Sequence, residues 1–352
     1  MTKKAFITGI RDQDGSYLAE LLLSKGYEVH GLIRQDSTFN TTRIDHLLVN
    51  PFVPERKIFL YHGDLSDGGR LTDLFYDIKP DEIYDTASED TGHDMLGITR
   101  LLEAVRRSGI KTRFYHSSGF SVFGGAPSPY NENTVFHPGN PGAAAAAYSF
   151  WVTTSYREGS NKLFTCNAIL FDHESPRMYE SMPTRKTTRA VAHILAGKEK
   201  YLYLGTLEPQ RDFGYAPEYV QAMWLMLQQD EPDDYVIGTG EGHSLTEWAK
   251  EAFEYVGLDW QQYVRKDPRP HGSGAGPAAL ADAAKAKRKL GWEPKVKFKE
   301  LIRIMVDVEM EALGLTPPGE GKTILAKYNL NTIDKASGTI GRLEEWPGLK
   351  KF

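Results

Sequence analysis

Two sets of residues in this chain have types and spacings that could do chemistry. The first is the loop TGIRDQDG, Thr8 to Gly15, in which Gly9 and Gly15 stand at the first and third glycine positions of a TGxxGxxG pattern. Glycines so placed let a pyrophosphate approach the backbone at the positive end of a helix. The middle position is Asp12, whose carboxylate adds bulk and negative charge where the pyrophosphate would sit. The second set comprises groups able to hold or move a proton. His116, Ser117 and Ser118 close an apolar run, with Ser121 just beyond; Glu89, Asp90 and His93 lie in the polar segment SEDTGHD; Asp172, His173 and Glu174 follow another apolar run. No spacing among them suits a metal ion.

Proton-transfer groups work only if secondary structure carries them to one place. Lys4 to Thr8 reads as a buried strand, Ser16 to Lys25 as a helix with Leu18, Leu21 and Leu22 on one face, and Glu28 to Ile33 as a second strand. Strands are then expected over Ile58 to Tyr61, EIYDTA, TRFYHSS and CNAILF, with helices over Gly69 to Ile78 and Met95 to Ser108 between them. Such alternation predicts an α/β fold, a Rossmann-like doubly wound parallel sheet that binds ligands at the carboxyl ends of its strands. We expect residues 1–170 to form this domain, with later strands returning to it. Residues 171–315 should be mainly a smaller substrate lobe, and residues 316–352, rich in Gly, Pro and Lys, an extended tail.

Composition narrows the function. The 352 residues are 40% hydrophobic and 25% charged, ordinary for a soluble globular protein, and a net charge of -5 gives no reason to expect nucleic acid or an anionic membrane as partner. Cys166, the single cysteine, lies in the apolar run TCNAILF and reads as a buried strand residue. No intrachain disulfide can form, which together with the absence of a signal peptide or a bilayer-length apolar run predicts a cytoplasmic location.

Several long stretches resemble the GDP-mannose 4,6-dehydratase family of extended short-chain dehydrogenases/reductases. They are DGSYLAELLLSKGYEVHGLIR, DSTFNTTRIDHL, LFDHESPR, TRKTTRAVAHI, RDFGYAPEYVQAMWLMLQQDEPDDYVI and KAKRKLGWEPKV. The resemblance implies an NAD(P)-binding domain, a nucleotide-sugar lobe, and a homodimer or homotetramer, with the loop RQDSTFNTTR helping to bind NADP and to form the tetramer. It also implies a Tyr and, four residues on, a Lys as acid/base pair, positions held here by Gly142 and Ala146. The family's Ser/Thr and Glu at the end of strand five correspond to Gly119 and Ser121, and its diphosphate-clamping Arg and ribose-binding Glu to about Gly272 and Ala275. Still matching are Gly9, Gly15, Arg34, Asp64 and Leu65 on the dinucleotide side, and Arg185 and Arg211 on the nucleotide-sugar side.

Each missing acid/base group would forfeit about 100- to 10,000-fold in rate. The expectation drawn from these positions is a degenerate homologue that is not a working dehydratase. Small residues at Gly119, Gly142, Ala146, Gly272 and Ala275 would line an enlarged cleft for a bulky, largely apolar substrate. The chemistry expected there is redox-neutral, of cyclase, isomerase or lyase type in specialised metabolism, with no cofactor beyond weak residual NAD(P) binding. His116, Ser117, Ser118, Ser121, Glu89, Asp90, His93 and Asp172 are the candidate catalytic residues. A second reading is a non-catalytic partner or scaffold. A third is an NAD(P)-dependent nucleotide-sugar dehydratase or epimerase with a rebuilt site, in which Arg11 offsets the charge of Asp12.

Overall fold

The computed structural model describes residues 2–34, 40–48, 57–87, 95–267 and 278–330. Its first half alternates as the hydrophobic runs require: β1 (Lys4–Thr8), α1 (Gln13–Ser24), β2 (Glu28–Ile33), β3 (Ile58–His62), α2 (Gly68–Ile78), β4 (Glu82–Asp85), α3 (Gly97–Ser108), β5 (Arg113–Gly119), α4 (Pro141–Glu158) and β6 (Phe164–Leu170). A seventh strand, Tyr235–Ile237, returns from the second half to the edge beside β6. The sheet order is Tyr235–Ile237, β6, β5, β4, β1, β2, β3, and every pairing is parallel. This is the doubly wound Rossmann-like α/β sheet expected.

Alternation along β1 explains why both faces are covered. Ala5 and Ile7 pack with Tyr17, Leu18 and Leu22 of α1 and with Tyr219, Val220 and Met223 of α6 (Ala216–Met226). Phe6 points the other way, into a core of Leu71, Leu74 and Phe75 from α2 and Leu101, Leu102 and Val105 from α3. Strands buried on both faces read as continuous apolar runs, which is why their limits were predicted to within about two residues. The first helix starts earlier than expected, at Gln13 rather than Ser16, because Gly15 allows its first turn to press onto the loop: a Cβ there would lie 2.2 Å from the Gly9 carbonyl oxygen. Cys166 is fully buried in β6, and burial pushes its thiol up to about 12, so it is an inert packing residue.

A second core forms from α5 (Pro183–Leu195), α7 (Leu245–Glu254) and the helix Phe298–Ala312 around Val191, Trp248, Phe253, Ile302 and Met305. Within the segment expected to be an extended tail, Glu320–Lys327 is a helix lying on Phe298–Ala312, with the Gly321 N–H donating to Asp307 Oδ2 at 2.7 Å. Residues 331–352 lie outside the described residues. Among the described residues no helix is long and apolar enough to cross a membrane.

One charged contact ties α4 to the sheet edge. Arg157 holds Asp234 through two hydrogen bonds of 2.7 and 2.6 Å, and Asp234 also accepts from the backbone N–H and the side-chain amide of Asn167 on β6. Replacing Asp234 by Ala leaves the guanidinium with the Thr165 carbonyl and Glu158, and the Asn167 amide with Phe150 and Thr154, after their strongest partner is lost. The expected cost is about 2–4 kcal/mol, measured as a lowered urea midpoint with unchanged slope.

Candidate active site

The strand ends meet three neighbouring cavities that share Ala87 in their walls. One of about 200 Å³ lies at the exits of β1, β2 and β3 and is lined by Gly9, Arg34, Asp64 and Leu65 among others. Another, of about 230 Å³, sits between β4, β5 and α4, lined by Asp85, His116, Ser121, Asn140, Gly142 and Ser149. A central cleft of about 570 Å³ runs from Asp12 and Asp14 across Ser117–Ser121 to Asp172–Glu174. It opens onto an outer cleft of about 700 Å³ that reaches Lys186 and Arg211 in the lobe. Ser121 borders the inner cavity and both clefts.

The glycine loop keeps a dinucleotide-type backbone. Gly9 has φ +67°, and a Cβ on it would stand 2.9 Å from Ala87 Cα. Asp12 precedes α1 in extended conformation without capping it; its Oδ1 accepts instead from the Tyr179 hydroxyl at 2.7 Å. Burial and the Asp12 carboxylate both push the Tyr179 phenol up, so it remains a donor. Arg43 lies over the Tyr179 ring at 4.8 Å, donates to the Arg11 and Arg177 carbonyls, and acts electrostatically on Asp12. Arg11, expected to offset Asp12, donates to the Arg34 carbonyl at 3.3 Å. Arg34 in turn pairs with Asp64 at 3.0 Å on the wall of the first cavity. These residues fit the adenosine end of a dinucleotide, and the loop backbone fits its pyrophosphate, with the Asp12 charge turned toward Tyr179 and Arg43.

At the inner cavity the structure joins residues that the sequence left separate. His116 Nδ1 is 2.9 Å from Asp85 Oδ2, and Asp85 Oδ1 accepts from the Thr8 hydroxyl at 2.6 Å. Asp85 and Thr8 were missed as site residues. The signal for them is sheet register, since Thr8 pairs with Asp85 and Asp85 with His116 across adjacent strands. Ser117 donates to the Asp85 carbonyl at 3.1 Å, while Ser118 Oγ is buried with no hydrogen-bond partner among the described residues.

Positions singled out by the resemblance divide in two. Among the described residues, a Cβ at Gly119 would meet only Ser121 Oγ, at 3.7 Å, and one at Gly142 only Asn140 Oδ1, at 3.4 Å. Ala146, expected to line the cleft, is 1% exposed and belongs to an apolar cluster with Val122, Phe123 and Phe150. Arg185, expected on the nucleotide-sugar side, is buried in the lobe with its Nε 2.9 Å from Glu309. Arg211 borders the outer cleft, its guanidinium over the Phe120 ring. Glu89, Asp90, His93, Gly272 and Ala275 lie outside the described residues, as does part of the loop RQDSTFNTTR.

Between the clefts, burial pushes the Asp172 carboxyl up to about 6 against the pull of Arg211 and His173. Burial likewise pushes Glu174 up to about 7, although the Thr184 hydroxyl donates to it at 2.6 Å. Burial alone would lower His173; the Asp14 carboxylate, 2.9 Å from its Nε2, and the Phe171 carbonyl at its Nδ1 outweigh this and bring it to about 9. All three groups hold protons more tightly folded than unfolded, so stability is full below the unfolded values and falls as pH rises through the folded ones. The contribution of these three groups to the urea midpoint should therefore decline as pH rises. Glu174→Gln, uncharged throughout, should flatten the part between pH 4.5 and about 7. His173→Gln should flatten the part between 6.5 and about 9.

The family model for GDP-mannose 4,6 dehydratase matches residues 6–305. GDP-mannose 4,6 dehydratase 2 of Arabidopsis thaliana is 46% identical over 326 residues, covering 88% of this chain and 87% of that one. The GDP-mannose 4,6 dehydratase of Homo sapiens is 41% identical over 346 residues, 89% and 93% of the two chains. Among solved structures, dTDP-glucose 4,6-dehydratase from Bacillus anthracis in complex with NAD superposes with a TM-score of 0.76 at 18% identity, over 87% of this chain and 96% of that one. DesIV, a dTDP-glucose 4,6-dehydratase from Streptomyces venezuelae with NAD and TYD bound, gives 0.76 at 23%, over 88% and 98%. These two share the fold.

Relatives so similar, over nearly nine-tenths of this chain and all named as dehydratases, overturn the expectation of a degenerate homologue turned to redox-neutral work on an apolar substrate, and with it the scaffold alternative. The expectation of no cofactor falls with them, and the backbone cradle at Gly9 and Gly15 agrees. Asp85, Asn140 and His116 line the inner cavity, and Asp172, Glu174, Lys186 and Arg211 the outer cleft, so these spaces carry charged and polar groups as well as apolar walls. By the match across most of its length, the chain belongs to the GDP-mannose 4,6-dehydratase family.

Proposed function

We propose that this protein is an NAD(P)-dependent nucleotide-sugar 4,6-dehydratase acting on GDP-mannose, with a rebuilt set of proton-transfer groups. The observation that carries this reading is the 46% identity to a protein of that name over 88% of the chain. It is supported by neighbouring cavities that share wall residues, Ala87 near the glycine loop and Ser121 toward the lobe.

Gly9, Gly15, Arg34, Asp64 and Leu65 would hold the dinucleotide. When bound it supplies reversible hydride acceptance. Lys186 and Arg211 border the outer cleft, where a nucleotide diphosphate needs countercharge. Gly142 and Ala146 bring no ionisable group, so proton movement rests on other residues. Asp172, near half-protonated at about pH 6 and bordering both clefts, is suited to give a proton to the departing sugar hydroxyl, which then leaves as water. The burial that raises its pKa is what equips it as an acid near neutrality.

The test is incubation of the purified full chain with NADP and GDP-mannose, followed by proton NMR. A 4,6-dehydration converts the sugar's CH2OH into CH3, so a new methyl doublet is expected; its absence with GDP-mannose and with other nucleoside-diphosphate hexoses sinks the reading. A second expectation concerns Asp12. Its carboxylate disfavours a pyrophosphate at the end of α1, and Asp12→Asn removes the charge at constant size. Calorimetric titration should show NADP bound about tenfold more tightly by the variant, roughly 1.4 kcal/mol.

A further inference from the structure

We propose that the side-chain amide of Asn140 is a substrate-binding group that donates a hydrogen bond to a hexose oxygen, an assignment that rests on the nucleotide-sugar reading above. Among the described residues only Asn140 and Ser121 border both the inner cavity and the outer cleft, so a ligand that reaches from one space into the other passes these two. Asn140 is exposed, and its side chain is open to such a ligand. The amide does not turn freely. Its Oδ1 accepts from the Ala143 N–H at 2.9 Å, and a bond from a donor settles which end of the amide is the oxygen. The NH2 end keeps two N–H donors with no hydrogen-bond partner among the described residues.

Local structure holds this donor in place. Asn140 is the N-cap of α4, in extended conformation, and Pro141 follows it at the first helical position, so the backbone under the amide is fixed on both sides. Gly142 borders the same inner cavity and brings no side chain to it; among the described residues a Cβ there would meet only Asn140 Oδ1, at 3.4 Å. The amide therefore stands beside the vacant position with nothing from residue 142 covering it. Capping alone asks only for an oxygen acceptor, which serine or aspartate supplies as well as asparagine. Asparagine adds to the cap two N–H donors that the helix does not use. An amide neither gains nor loses a proton near neutrality, so Asn140 binds and orients the hexose, and proton transfer stays with Asp172 across the outer cleft.

The test compares GDP-mannose with GDP, which lacks the sugar, by calorimetric titration of the full chain without added dinucleotide. The unsubstituted protein is expected to bind GDP-mannose more tightly than GDP. Asn140→Ser keeps the cap and removes the amide, so it should narrow that preference about fivefold while the GDP affinity and the urea midpoint stay unchanged. Asn140→Asp, equal in shape and also a cap, should narrow it at least as much. In 15N spectra, the side-chain amide pair missing from both variants belongs to Asn140, and it should shift more with GDP-mannose than with GDP. A preference that Asn140→Ser leaves intact overturns the proposal, as does an amide pair that GDP-mannose does not move; the dehydratase reading survives either result. If the preference falls as expected but no methyl product forms, the reading is lost and the Asn140 contact stands. A protein that binds neither ligand loses both. Should Asn140→Ser fail to fold, Asn140→Asp and the spectra of the unsubstituted chain decide the matter.

Discussion

Register in the parallel sheet is the constraint on which the site depends. Thr8, Asp85 and His116 are partners across β1, β4 and β5, two residues beyond Phe6, Ile83 and Phe114 on the same face. The inner three pack against α2 and α3; the outer three, at the strand ends, exchange hydrogen bonds of 2.6 and 2.9 Å. Because side chains alternate along a strand, a slip of one residue in either pairing would turn a polar group to the opposite face and dissolve the row. The packing of Phe6, Ile83 and Phe114 therefore holds the polar row in line.

A second constraint is electrostatic. The end of α1 carries the partial positive charge expected of a helix N-terminus, and Asp12 and Asp14 stand beside it. Each carboxylate is claimed by a neighbour: Asp12 by Tyr179, with Arg43 behind the ring, and Asp14 by His173. His173 also stacks on Tyr219 of α6, 4.6 Å between ring centres, so the loop is braced from the segment after β6 and from α6 together. The charge near the loop is thus partly offset within a local network shared among three elements.

The frame was legible because burial on both faces writes itself into the sequence as runs such as KAFIT and CNAILF, bounded by glycine and polar residues. The site was less so, because its meaning is relational. In the sequence His116 is only a histidine at the end of an apolar run; its pairing with Asp85 appears only across the sheet. Arg185 sits in a family-like stretch yet is bound to Glu309, 124 residues away in sequence. Ala146 differs from a cleft residue only by a fraction of a helical turn, which places it against Phe123 while Ala145 borders the inner cavity. Reading function from vacated positions failed for the same cause, since it counted what had gone and could not count what the fold had assembled.

Gly142 lies in the first turn of α4, just after the Pro141 that starts the helix and the Asn140 cap whose side chain accepts from the Ala143 N–H. Glycine inside a helix costs about 0.5–1 kcal/mol relative to alanine, and nothing but the Asn140 amide stands near the missing Cβ. The fold thus tolerates a conformational penalty at a spot where steric crowding demands none. A side chain at this position would reach the inner cavity without a steric cost to the helix.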